Sequence, residues 1–267
     1  MKAMIFAAGM GTRLKPLTDT LPKALVPVCG KPLLEHVSHK LMAAGLDEAV
    51  VNVHHFADKI EEWIGAQGWI VSDAAEGGDG RMVMQVSDER SMLLETGGAI
   101  FHARRFLEGC GSFLVHNVDI LSDLDIPWFM SKARPDALAT LLVSERKSSR
   151  YLLFDPSSMR LVGWTNVQTG EVRSPYADLD VSACRALAFS GIHIVSDKVF
   201  GAMEDYIADC NCPVSEDGAV RFPIMDFYLS MAARYAIYGV VAESLNLIDV
   251  GKLDTLAVAE SFLTSGV

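Results

Sequence analysis

The chain has 267 residues, is 50% hydrophobic and 21% charged, and carries a formal net charge of -11. This composition excludes a disordered chain, which would lack the apolar content to form a core. The acid excess also excludes a general nucleic-acid binder, which needs a basic surface to neutralise phosphates. No uncharged apolar run of about 18 residues occurs, so no spanning helix and no membrane partner are expected. Gly9 and Arg13 interrupt the apolar N-terminus too early for a secretory segment, so a cytoplasmic location is expected. Cysteines at 29, 110, 184, 210 and 212 form no even disulfide framework, and reduced thiols are expected.

In chain order the pattern alternates strand and helix. Lys2–Ala8 is a short apolar run that reads as a buried strand. Pro32–Ala44 carries Leu33, Leu34, Val37, Leu41 and Met42 at helical spacing, with Gly45 as a stop. Ala49–Val53 is β-branched, and Phe56–Ile64 returns to helical spacing. Trp69–Val71 and Met82–Val86 read as short strands around the Gly-rich turn Glu76–Gly80. Gly98–Leu107 reads as helical and Ser112–Val118 as the next buried strand. Such alternation predicts a mostly parallel sheet with helices on both faces.

The second half is less regular. Strands are predicted over Ala137–Val143, Tyr151–Phe154, Leu187–Val195 and Ala236–Ala242, with a hairpin joining Leu161–Trp164 to Glu171–Arg173 through Thr169–Gly170. Helices are predicted over Asp197–Ile207, Phe222–Ala233 and Lys252–Leu263. No composition shift or repeat marks a boundary, so residues 1–267 are read as a single domain.

The strongest local feature follows the first strand. Gly9 and Gly11 stand where backbone N–H groups can approach and cradle phosphate oxygens. The dinucleotide fingerprint requires glycine at 14, where Leu14 stands, and no Walker A run exists. Arg13, Lys15, Lys23 and Lys31 concentrate cations within twenty positions of an acidic chain, which points to a focused anion site. Pro22 stiffens the backbone beside Lys23, read here as an exposed loop lysine with little packing.

Residues 3–34, with AAGMGTRLKPLTDTLPKALVPVCGKPLL over 7–34, resemble the signature of the sugar-1-phosphate nucleotidyltransferases. Fainter likenesses follow at Leu94–Gly98, Asn117–Asp119, Phe189–Ile192 and Ile248–Gly251. Within that family, Ser87–Arg90 followed by Leu93–Gly98 resembles a short bacterial uridylyltransferase group. The resemblance implies the nucleotide-diphospho-sugar transferase fold, a Rossmann-like mixed, mostly parallel sheet flanked by helices. It implies a nucleotide-binding half over 1–120, and a sugar-binding half with a C-terminal helix over 121–267. With no hexapeptide period in these 267 residues, the acyltransferase domain of longer relatives is not expected.

The resemblance also implies roles. Ala8, Gly9, Gly11 and Thr12 would hold the triphosphate, with Gly97 and Gly98 against the base or ribose. Arg13 would offset charge on leaving pyrophosphate, and Lys23 would screen the two reacting phosphates. Asp119 and Asp249 would hold Mg²⁺, a hard cation suited to one or two carboxylates plus phosphates. Gly191 and Trp164 would line the sugar pocket. Glu89 and Arg90 fall near the expected base-reading position, where a solvated charged face is equally consistent. The substrates implied are an NTP, with UTP favoured, and an amino-sugar 1-phosphate. The absence of the family's E-K-P run leaves mannose-1-phosphate guanylyl transfer and phosphocholine cytidylyl transfer as alternatives. A catalytically silent nucleotide-sugar sensor is the alternative of a different class.

Overall fold

The computed structural model describes residues 1–71 and 82–264; the turn expected at Glu76–Gly80 lies outside them. The chain opens with β1 (Lys2–Phe6) and then makes three single 3-10 turns, Thr12–Leu14, Leu17–Asp19 and Lys23–Leu25. A short antiparallel pair, β2 (Pro27–Val28) and β3 (Lys31–Pro32), leads into α1 (Leu33–Ala43). Next come β4 (Glu48–Val53), α2 (Ala57–Ala66), β5 (Ile70–Val71) and β6 (Val83–Asp88). The helical stretch expected after Gly98 begins earlier and is split, as α3 (Glu95–His102) and α4 (Arg104–Leu107). β7 (Ser112–Asn117), β8 (Ile120–Ser122) and α5 (Ile126–Ser131) follow. The remainder is β9 (Ala139–Ser144), β10 (Arg150–Phe154), β11 (Leu161–Asn166), β12 (Glu171–Arg173) and the long β13 (Arg185–Ser196). It closes with α6 (Val199–Asp209), α7 (Ile224–Met231), β14 (Ile237–Val241), β15 (Leu247–Asp249) and α8 (Leu253–Thr264).

Local chemistry sets several of these boundaries. Apolar Leu33, Leu34, Val37 and Leu41 give α1 one buried face. The helix ends where Gly45 takes φ +79 and donates to Met42 O at 2.9 Å. α5 had no periodic signal in so short a run. Its signature is a cap: the Asp125 carboxylate accepts the Trp128 N–H at 2.9 Å, and Pro127 sits in the first turn.

The sheet is mixed. β7, β1, β4, β6 and β5 lie side by side, all parallel. β5 and β6, expected around a tight turn, thus run in the same direction. β13 adds antiparallel to β7, and the β10–β11–β12 meander extends that flank. β9 also pairs with β13, and β14 runs parallel to β9.

Strand alternation divides the core in two. Ala3, Ile5, Val51 and Leu114 face α1, α2, α5 and α8. Met4, Val50, Phe113 and Val115 face α3, α4, α6 and α7. Burial on both faces explains why these strands read as continuous apolar runs. The expectation of reduced thiols fails at Cys210 and Cys212, which form a disulfide; Cys29, Cys110 and Cys184 are free. Two-residue spacing just past α6 leaves the pair's Cα atoms 5.3 Å apart, within reach of a bond. No helix among the described residues is long and apolar enough to cross a membrane.

Candidate active site

β1 lies between β4, which follows it in sequence, and β7, to which the chain returns later. The direction of strand addition therefore reverses at β1, and ligands of open α/β sheets gather at the carboxyl ends beside such a point. A cleft of about 380 Å³ opens there. Phe6, Ala8, Gly9 and Lys23 line it from the first strand and its loop, and Asn52 from β4. Asn117, Val118 and Asp119 line it from β7, and Leu93, Glu95 and Thr96 form a further wall.

The loop above β1 is held from beneath. Leu14 is fully buried and its N–H donates to Gly11 O at 2.8 Å, while the Thr18 hydroxyl donates to the same oxygen at 2.8 Å. Gly11 takes φ +61, and a Cβ there would stand 2.7 Å from Thr18 Cγ2. Both the left-handed backbone and that approach require glycine. At Gly9 a Cβ would meet nothing within 4 Å, so this glycine borders open space on the cleft side. Thr12 and Arg13 are exposed on the turn that follows.

The cations expected to act together separate. Lys15 pairs with Asp19 at 3.0 Å and Lys31 with Glu35 at 3.2 Å, both on the surface. Lys23 is buried rather than exposed, because the Lys23–Leu25 turn packs Ala24, Leu25 and Val26 into the core. Its ammonium forms an ion pair with the Asp119 carboxylate.

Asp249 reaches the same place from far along the chain. β15 pairs antiparallel with β8, with Asp249 opposite Ile120, and Val250 N–H donates to Asp119 O at 2.8 Å. Side-chain contacts from Asp123 to Asn246 brace the ladder's other end. Packing around the Asp249 carboxyl raises its pKa, and the charge of Asp119 adds to that; Lys23, Arg13 and Arg146 oppose it. A Cβ on Gly251 would stand 2.6 Å from Asp249 Oδ1 and 2.9 Å from Arg13 Nη2, so carboxylate and guanidinium flank one glycine. Arg13, Lys23, Asp119 and Asp249 thus converge.

Other residues have different surroundings from those expected. The N–H groups of Gly97 and Gly98 donate to Phe222 O at 2.9 and 3.0 Å. A Cβ on Gly97 would stand 2.4 Å from the Phe222 ring, and one on Gly98 would stand 2.1 Å from Val220 O. Their missing side chains admit the segment before α7, while Leu93, Glu95 and Thr96 face the cleft. Gly191 takes φ +74 and would meet Asn117 Nδ2 at 2.9 Å, which places it directly behind a cleft residue. Trp164 is not brought to the cleft. It sits on β11, separated from β7 by β10 and β13, with the Arg173 guanidinium 5.3 Å from its ring.

Sequence reasoning did not assign Asn52 or Arg146, and it left Glu89 open between base reading and a solvated face. Asn52 is buried at the cleft, and its one signal was a polar interruption in the run Glu48–Val53. Glu89, read as equally consistent with a solvated face, is 1% exposed. Its carboxylate accepts from Asn52 Nδ2 at 2.8 Å and from Leu94 N–H at 3.2 Å. Burial raises it to about 7 against those two hydrogen bonds. Arg146, on the loop after β9, donates to Phe189 O at 2.8 Å and carries positive charge toward Asp249; nothing in its local sequence marked it. Arg90 joins a surface cluster with Asp88, Asp58 and Glu61.

A doubly wound sheet with two carboxylates and two cations at its switch point defines an α/β protein built to hold an anionic ligand. A family model described as nucleotidyl transferase matches residues 2–152. The N-acetylmuramate alpha-1-phosphate uridylyltransferase of Caulobacter vibrioides is 34% identical over 249 residues, covering 91% of this chain and 89% of that protein. The enzyme of that name from Neisseria meningitidis serogroup B is 33% identical over 205 residues, 76% of this chain and 79% of its own. The structure of a UDP-glucose pyrophosphorylase with UDP-glucose has the same fold, with a TM-score of 0.70 over 100% of both chains at 16% identity. The chain belongs to the nucleotidyl transferase family, as a sugar-1-phosphate nucleotidyltransferase.

Proposed function

We propose that the protein transfers uridylyl from UTP to an amino-sugar 1-phosphate, releasing pyrophosphate. The observation that carries this reading is the meeting of Arg13, Lys23, Asp119 and Asp249 at the switch-point cleft. The choice of UTP and of an amino sugar is supported by the names of the two relatives of 34% and 33% identity.

In this reading a sugar phosphate oxygen attacks the α-phosphorus of UTP in line. The new P–O bond forms as the bond to the bridging oxygen of pyrophosphate breaks, and the electron pair leaves with pyrophosphate. A phosphomonoester has its second pKa near 6 and is ionised at neutral pH, so no general base is needed. What remains is positioning and charge stabilisation. The backbone of Ala8–Thr12 receives the triphosphate above the open space at Gly9. Arg13 offsets charge on the departing pyrophosphate, where a planar guanidinium suits several oxygens. Lys23, held by Asp119, screens the repulsion between the two reacting phosphates.

The donor set fits Mg²⁺. Among the described residues no cluster of three or more metal-binding side chains occurs. Two neighbouring carboxylates, one of them raised by burial and then by the other's charge, are nonetheless what a triphosphate-bound magnesium requires. Asp119 and Asp249 would hold the ion, which would neutralise triphosphate charge. Chelation of divalent cations is expected to abolish pyrophosphate release and added magnesium to restore it; release that survives chelation removes the ion from the reading.

The deciding experiment measures pyrophosphate release over a matrix of NTPs against sugar 1-phosphates, with phosphocholine included. Release with UTP and an amino-sugar 1-phosphate is expected. Activity confined to GTP with mannose 1-phosphate, or to CTP with phosphocholine, would replace the substrate assignment. Nucleotide binding without release from any pair would leave a non-catalytic sensor.

A further inference from the structure

A chain of obligatory hydrogen bonds runs beneath one end of the cleft. The N–H of Ala7, at the root of the glycine loop, points at Asn52 Oδ1 at 2.8 Å. A backbone N–H can only donate, so the oxygen of the Asn52 amide must face it. The nitrogen must then face Glu89, and it donates to Oε1 at 2.8 Å. The second oxygen of Glu89 accepts the N–H of Leu94 at 3.2 Å, inside the wall that carries Leu93, Glu95 and Thr96. Glu89 N–H donates to Val53 O at 2.8 Å, and His54 Nδ1 lies 2.6 Å from Glu89 O, so the residue's own backbone is also fixed. One buried carboxylate therefore ties together the glycine loop, the end of β4 and the far wall of the cleft.

Position gives this arrangement a direction. Asp119 follows β7 and Asn52 lies on β4, with β1 between them. Two strand spacings separate them by about 10 Å. If the α-phosphorus lies at the carboxylates and the sugar beside Gly191, on the β13 side behind Asn117, the β4 side is the one left for the nucleoside. Asn52 lines the cleft there. It has one Nδ2 hydrogen and one Oδ1 lone pair with no protein partner among the described residues.

We propose that Asn52 contacts the nucleoside, and that Glu89 is the positioning residue that locks the Asn52 amide in a single orientation. This rests on the reading of the cleft as a nucleotide site. Glu89→Gln tests it sharply, because the replacement has one acceptor where two N–H donors converge, so one of the two contacts must fail.

The experiment titrates UTP and inorganic pyrophosphate separately into the wild-type protein, Glu89→Gln, Asn52→Ala and the double variant, following heat. Loss of one hydrogen bond at a buried polar contact corresponds to about tenfold in affinity. UTP is therefore expected to bind about tenfold more weakly to each single variant. Pyrophosphate, received by the glycine loop and Arg13, is expected to bind Glu89→Gln, which keeps the Ala7–Asn52 contact, within about twofold of wild type. If Glu89 acts through Asn52, the double variant is expected to bind UTP no more weakly than Asn52→Ala alone. Additive losses, or equal weakening of pyrophosphate, would overturn the positioning role. UTP affinity unchanged in Asn52→Ala overturns the nucleoside contact, even where Glu89→Gln does not fold. A wild-type protein that binds pyrophosphate but no NTP would overturn the nucleotide reading itself, and the inference with it.

Discussion

Replacing Glu89 by glutamine is expected to change how stability depends on pH, with a sign and size fixed by burial. Burial raises the folded carboxyl to about 7, against 4.5 for an ordinary glutamate. A raised acid holds its proton more tightly in the folded state, so its contribution to stability is complete below pH 4.5. It declines as pH rises through 7. The gap corresponds to about 3 kcal/mol, most of it lost between pH 5 and 8. The residue is 1% exposed, so solvent screening does not reduce the figure. Its titratable neighbours, Asp88 on the same segment and His54 against its carbonyl, are unchanged by the substitution. The variant has no such titration. Urea unfolding of both proteins at pH 5 and pH 8, followed by circular dichroism, isolates the effect. Other titrating groups cancel in the comparison. The wild-type advantage is expected to shrink by about 2.5 kcal/mol, or roughly 1 M in urea midpoint, over this interval. Parallel pH profiles would refute the buried, proton-binding carboxyl.

Asp119→Asn keeps the side-chain volume and an acceptor for Lys23. It is expected to lower kcat by at least about 100-fold with an unchanged circular-dichroism spectrum; full turnover would remove Asp119 from the reaction. Lys23→Met removes a buried cation beside two carboxylates. It is expected to cost about 2–4 kcal/mol of stability as well as turnover, and an unaltered melting temperature would contradict the buried pair. Gly98→Ala drives a methyl against the Val220 carbonyl oxygen. A melting point lower by about 4 °C or more is expected, and no change would mean that the 220–222 segment yields freely.

The glycine loop and most strands of the parallel half were legible because their signals are local, whereas the parallel run of β5 beside β6 was not. Ala3–Phe6 is a continuous apolar run, and Gly9 and Gly11 announce a turn wherever they fall. The pairing of Asp119 with Lys23 was not legible, since nothing in the composition of residues 14–34 distinguishes a buried lysine from the surface Lys15 and Lys31. Gly97 and Gly98 illustrate the converse. The sequence says that a side chain is unwelcome there, but whether a ligand or the protein's own Phe222 takes the space depends on a segment over 120 residues away. Trp164 carried no positional information until the order β11–β10–β13–β7 set it apart from the cleft. Glu89 was ambiguous for a related reason. Its neighbours Asp88 and Arg90 are on the surface, and only the register of β4 against β6 turns the glutamate inward.

The β8–β15 ladder gives the protein a kinetic seam. Asp249 is placed by three residue pairs that close a loop reaching back to Ile120, and the closure entropy of that long loop falls on a very short piece of sheet. Such a seam is among the first parts of a fold to open and the last to form. Its amide protons should therefore exchange with solvent well before those of β1, β4 and β7. During synthesis, the complete parallel half with its glycine loop and Asp119 can precede the arrival of the second carboxylate. On the proposed role of Asp249, competence would then await the docking of the distant strand, and fraying of these three pairs would remove it while the rest of the molecule stays folded.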